Sequence, residues 1–298
     1  PIDEVVLAAR TKERDQHAIA KEPIPVLLSS EITKLVKKQK MWRTHREQLE
    51  TARVVAAQKR ENMPVGWLSI TRDYVNHHDH SGSHVKCLHF VLQWREKAGK
   101  PLKLLKIRNY CSDAESMSCD SYSYCDILDF HMRAAGEGGP GHLDAFHHII
   151  MEGDHGPHFA SKESMFFESQ CYRKYKKEVE LSFYVSYHAC GRADGAGAED
   201  KKSSAADFRN AIPRLGAKSY TDMTNQSSDV RSIAYEMPQI NRSAHVFPTP
   251  RELIGVKYIK KWNEVKFAYP ERTQETEGIV LYRFVAGVGE WQWGDLLR

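Results

Sequence analysis

At Asn62 and Pro64 the chain changes its hydrophobic period, and that change limits which folds it can adopt. Before it, residues 31–60 read as one long helix with Ser30 as its N-cap. Leu35, Trp42, Leu49 and Ala56 recur every seven residues, with Ile32, His45 and Ala52 alongside, so one stripe can pack on a neighbour. Residues 1–28 are polar and weakly periodic, ending in Pro23 and Pro25. After the break, residues 65–73, 85–93 and 102–109 read as strands. The first link, residues 77–84, is short and polar, and residues 97–101 form a Lys-Ala-Gly-Lys-Pro turn. Strands joined by such short links form an antiparallel meander.

From Ser112 onward the order is helical and stranded by turns. Residues 121–133 predict a helix marked by Tyr122, Cys125, Ile127, Leu128 and Met132. A glycine-rich loop, residues 136–141, leads to a strand that ends at Asp154. A helix over 162–175, a strand over 179–185 and a helix over 198–211 follow. Strand–helix–strand units imply parallel crossovers, so the whole predicts an α/β fold with a mixed five-stranded sheet and helices on both faces. This is the element order of the ribonuclease H-like fold. The expected organisation is a polar segment and basic helix (1–62), the α/β core (63–215), a loop-rich linker (216–250) and a small β-rich module (251–298).

Composition narrows the partners. Hydrophobic residues make up 41% of the 298 positions, enough for a core, and no apolar run is long enough to span a bilayer, so no membrane partner is expected. The chain opens on Pro1 without a signal-peptide pattern, as a fragment or processed chain would. Net charge is only +4, but Lys34, Lys37, Lys38, Lys40, Arg43, Arg46, Arg53, Lys59 and Arg60 crowd one helix. A solvated face is the simplest reading of that run. The six cysteines include no Cys-x-x-Cys pair, which argues for reduced thiols rather than a disulfide framework or zinc ribbon.

The topology makes a chemical prediction. The first and fourth strands of such a sheet lie side by side, so Asp73, taken as the end of the first strand, and Asp154, after the fourth, approach one another. A third acid comes after the fifth strand, where Asp194 and Glu199 stand; Asp194 ranks first and Glu199 stays open. Paired divalent ions roughly 4 Å apart can activate a water or 3′-hydroxyl and stabilise a leaving oxygen of a phosphodiester. Mg²⁺ takes hard oxygen ligands, which carboxylates supply.

Residues 153–159, Gly-Asp-His-Gly-Pro-His-Phe, resemble the second-acid motif of eukaryotic transposon-derived DDE transposase-like proteins. Residues 186–197, from Ser186 through His188 to Gly197, resemble the block that carries their third acid, and Arg72-Asp73-Tyr74 is similar to their first. The likeness covers about residues 48–211. It implies a metal-dependent DNA cleavage and strand-transfer core using Mg²⁺ or Mn²⁺, with DNA as partner, nuclear residence, and the homodimer such enzymes commonly form. Asp73, Asp154 and Asp194 would be metal ligands, and His155, His158 and His188 would position substrate or order the carboxylates. The sequence departs from the family at His155, where a glycine is usual, and it shows no DNA-end-binding zinc finger or helix-turn-helix.

Two other readings compete. A transposon-derived protein can keep the fold as an inactive DNA-binding or structural protein. Alternatively His77, His78, His80 and His84, with His155, His158 and His188, could serve a histidine-ligated metallohydrolase, although no His-Glu-x-x-His spacing occurs. There is no Gly-x-Ser-x-Gly elbow, and the glycine loop precedes a strand rather than opening a helix, so it is not a phosphate cradle. In the C-terminal module, core packing of Trp291 and Trp293 is favoured over base stacking.

Overall fold

A computed structural model describes residues 2–19, 26–78, 84–111, 120–183, 230–236, 264–267, 279–284 and 289–295. Two units, Pro1–Arg53 and Val54–Arg298, divide the chain nine residues before the expected boundary. The first holds a helix that the sequence reading missed, α1 (Ile2–Ile19), and most of α2 (Val26–Glu61). Helix formers such as Ala8, Ala9, Arg10, Lys12 and Glu13 outweigh the weak periodicity of α1. α2 starts ahead of Ser30, which therefore lies inside the helix and is not its cap. Arg10 of α1 pairs with Glu31 of α2 at 3.1 Å.

In the second unit the order is β1 (Trp67–His78), β2 (His84–Trp94), β3 (Lys103–Cys111), α3 (Ser121–Met132), β4 (His148–Gly153), α4 (Lys162–Tyr175) and β5 (Glu178–Phe183). Every one of these elements was expected, with ends shifted by a few residues. The largest shift matters: β1 continues to His78, so Asp73 lies within the strand and does not end it. β2 is the partner that extends it, since the pairing runs from Leu68↔Trp94 to His78↔His84.

The sheet has nine strands among the described residues, in the order β6-β3-β2-β1-β4-β5-β7-β8-β9. β1 pairs antiparallel with β2 and parallel with β4, and β4 pairs parallel with β5. The expected five strands form its middle. The additional four correct the expected tail. β6 (Val230–Glu236) falls in the stretch read as a loop-rich linker and pairs parallel with β3. β7 (Glu264–Phe267), β8 (Ile279–Arg283) and β9 (Gln292–Asp295) continue the same sheet from β5 by antiparallel pairing, so these strands are not a separate module. Short strands of four to seven residues carry too little pattern to be distinguished from loops in isolation, and their pairing partners supply the missing signal.

One face of the sheet forms the hydrophobic core. Leu68, Ile70, Phe90, Ile149, Met151 and Leu181 meet Ile127 and Leu128 of α3 and Met165 and Cys171 of α4. The helices start cleanly: the Asp120 side chain accepts from Ser123 N at 2.9 Å, and Ser161 Oγ accepts from Ser164 N at 3.0 Å. Asp129 of α3 binds Lys174 and Tyr175 of α4, tying the two helices together. Cys87, Cys125 and Cys171 are buried and none of them is in a disulfide, in line with the reading of the cysteine spacing.

The opposite face is buried but polar. Alternation along β1 and β5 sends Ser69, Thr71, Glu180 and Ser182 there, and register adds Gln93, Glu152 and Glu264. The C-terminal end of α2 covers part of it through ion pairs. Lys59 Nζ lies 2.6 Å from both Glu180 Oε1 and Glu264 Oε1, and Arg60 Nη1 lies 3.0 Å from Glu152 Oε2. No helix among the described residues is long and apolar enough to cross a membrane.

Candidate functional site

β1 and β4 run parallel, and their last recorded pair is Thr71↔Glu152. Two residues beyond that pair stand Asp73, still within β1, and Asp154, one residue past the end of β4. Across β1 and β2, Asp73 pairs with His89, and His89 pairs in turn with Arg108 of β3. Both aspartates are half-buried. Asp73 shares its face with Ser69 and Thr71, opposite its neighbours Arg72 and Tyr74.

A tight loop follows β4. Gly156 N donates to Asp154 Oδ1 at 2.9 Å, and Phe159 N and Ala160 N both donate back to Gly156 O. A Cβ at Gly156 would stand 2.5 Å from His158 Cε1 and 2.8 Å from Asp154 Oδ1, so only glycine fits without displacement. The loop is pinned to the start of α4, because Ser164 Oγ donates to His158 O at 2.6 Å. The close approach in this loop is at Gly156, while the His155 ring stacks on Phe183 with centroids 4.9 Å apart.

His158 joins the acid to the core. Its Nε2 lies 3.7 Å from Asp154 Oδ1, beyond hydrogen-bond range, and its ring meets Tyr74 edge-on at 4.8 Å. Burial pushes the His158 pKa down to about 4 despite the opposing pull of Asp154, with Arg72 adding to the depression. The imidazole is therefore neutral near pH 7. It orders the loop by packing rather than by charge.

Beneath Asp73, on the other face of β1, lies a group the sequence reading missed. The Arg72 guanidinium is fully enclosed; its Nη1 donates to Tyr124 OH and Glu168 Oε1, and Tyr124 OH donates to Glu168 Oε1 at 2.5 Å. Its Cζ stands 4.7 Å from the centre of the Phe159 ring and 4.8 Å from that of Tyr124. Burial raises the Glu168 carboxyl, and Arg72 pulls against that rise. Gly153 makes room for the arginine, since a Cβ there would lie 3.0 Å from Arg72 Cγ. Arg72 thus ties the strand of Asp73 to α3, α4 and the loop of Asp154. The signal was present as an arginine inside a strand and a glutamate inside the apolar run Met165-Phe166-Phe167-Glu168.

The other expected site residues, His188, Asp194 and Glu199, lie outside the described residues, as does His80. His77, His78 and His84 sit at the far ends of the β1–β2 pair. Among the described residues no three His, Cys, Asp or Glu side chains gather as metal ligands, and both candidates for the third acid fall outside that set. The donor chemistry of Asp73 and Asp154, two carboxylates, suits a hard divalent cation.

At the C-terminal end, Trp291 lies between Arg283, at 4.2 Å, and Lys266, at 5.0 Å, while Trp293 is 73% exposed. Core packing, expected for both tryptophans, does not hold for Trp293, which is exposed on the edge strand β9. Comparison with protein-family models, with curated proteins and with solved structures found no match.

Proposed function

We propose that residues 63–215 are a ribonuclease H-like core of the DDE transposase type, which cleaves DNA phosphodiesters and joins the ends with Mg²⁺ or Mn²⁺. The observation that carries this reading is the strand order β3-β2-β1-β4-β5, with β2 antiparallel and β4 parallel to β1, so that Asp73 lies in the strand beside the one that Asp154 follows. The Gly156 turn and the resemblance of residues 153–159 to a second-acid motif support it.

In this reading Asp73 and Asp154 hold the cation, and Asp194, or Glu199, completes the set. When bound, the ion supplies activation of the attacking water or 3′-hydroxyl and stabilisation of the leaving oxygen. The chain's own contribution is placement. Gly156 N fixes one Asp154 oxygen, His158 fills the space behind it, and Arg72 anchors β1 and Phe159 together from the core side. His155 and His188 would face the substrate phosphate.

The test is cleavage and joining of duplex DNA by the full chain with Mg²⁺ or Mn²⁺, compared with Asp73→Asn and Asp154→Asn. Each substitution removes a metal ligand, so a loss on the order of 100-fold or more is expected. Equal rates in wild type and Asp154→Asn would sink the reading. Duplex binding without cleavage in the wild type would instead favour an inactive DNA-binding protein of the same ancestry.

A further inference from the structure

α2 contains a stretch that the core does not use. From Val36 to Glu47 its residues are exposed, apart from a half-buried Gln39 and with the side chain of residue 45 undescribed. Trp42, Met41 and Val36 are 53%, 64% and 49% exposed. Around them stand Lys34, Lys37, Lys38, Lys40, Arg43 and Arg46, and the sequence has no Asp or Glu between Ile32 and Arg46.

At 3.6 residues per turn these six cations fall on all sides of the helix, not on one stripe. They also follow one another at spacings of three and four, where like charges repel by a few tenths of a kcal/mol per pair. A helix of this kind gains little from packing and carries a local repulsion that a polyanion relieves. A one-sided basic stripe would suit a flat anionic surface. A helix charged on every side suits a groove with phosphates along both walls. The major groove of B-DNA is about 12 Å wide, close to the diameter of a helix with its side chains. The stretch, roughly 20 Å long, fits within one groove segment.

We infer that residues 34–46 of α2 dock in the major groove of duplex DNA, with the six cations on backbone phosphates and Trp42 and Met41 against the groove floor or sugars. The inference shares its partner, DNA, with the proposed function, but it needs no chemistry at Asp154.

The test uses the full chain and a 30-base-pair duplex, with binding followed by fluorescence anisotropy across a salt series. The variant is Lys37→Gln/Lys38→Gln/Lys40→Gln/Arg43→Gln, whose exposed positions and good helix propensity leave α2 intact by circular dichroism. Losing four phosphate contacts is expected to make the negative slope of log K against log salt shallower by about 3.6 and to weaken binding at least about tenfold near 0.1 M salt. Guanine N7 atoms, which lie in the major groove, should be protected from methylation by the wild type and not by the variant. An unchanged salt slope, protection confined to adenine N3 of the minor groove, or preferential binding to phosphatidylserine vesicles over the duplex would overturn the inference. Asp154→Ala separates the two proposals: it should leave the slope unchanged while removing any cleavage.

Discussion

The two faces of the central sheet solve the burial of charge in opposite ways. On the face under α3 and α4, one guanidinium, Arg72, is sealed with Glu168 and Tyr124 inside an apolar core. On the face met by the end of α2, several carboxylates are buried, but each is reached by a cation at the rim: Lys59 and Arg60 are about a quarter exposed. The first arrangement depends on the bonds through Arg72 Nη1 and Glu168 Oε1, because Arg72 Nε and Nη2 and Glu168 Oε2 have no hydrogen-bond partner among the described residues and the cluster is sealed. The second tolerates loss, because its cations still touch solvent. Asp73, one of the proposed site acids, stands where these regimes meet, on the polar face with its neighbour Arg72 in the sealed one.

The largest effect should come from breaking the sealed pair. Arg72→Met leaves Glu168 buried with only Tyr124, and a loss of about 3–5 kcal/mol is expected in urea unfolding. The double variant Arg72→Met/Glu168→Leu should recover most of that loss. If it does not, the cost lies in packing rather than in the orphaned charge.

Acidification probes the polar face. Burial works against ionising Glu180, yet His148, Lys59 and Lys266 together hold its carboxyl down at about 2. Its folded pKa lies below the ordinary glutamate value of 4.5. The resulting stability, roughly 3 kcal/mol, is therefore present above pH 4.5 and lost as pH falls through 2. Glu168, raised by burial, has the opposite sign and does not add to this loss. Unfolding free energies measured from pH 6 to 2.5 should show a shallower decline in Glu180→Gln than in wild type. An identical decline would remove Glu180 from the acid limb.

The smallest effect should be at Arg60. Arg60→Gln weakens one ion pair to Glu152, which keeps Ser69 Oγ at 3.1 Å, so about 1 kcal/mol is expected in the same urea assay. A loss as large as that of Arg72→Met would erase the distinction between sealed and rim-exposed charge.

Much of the core was legible without coordinates. β1 to β5 with α3 and α4 are long or strongly periodic, and their caps, Asp120 and Ser161, are ordinary cap residues in their ordinary place. The adjacency of β1 and β4 followed from the element order. The ends of β1 were less legible, because strand length is set by how far β2 runs alongside. Leu35, Trp42, Leu49 and Ala56 make a regular stripe, yet Trp42 is 53% exposed, since periodicity shows which residues share a helix face and not how deeply each is buried.

What the sequence by itself determined here is local: where the period changes, which elements follow, and that a glycine turn comes after Asp154. These depend on contacts within a few residues, where propensity and pattern act directly. Only the tertiary structure decided that Arg72 turns inward to Glu168, that Lys59 reaches Glu180 and Glu264, and that four short strands extend the sheet. Those outcomes join residues far apart in the chain. A charge can be buried, or a four-residue strand held, only when a distant partner satisfies it.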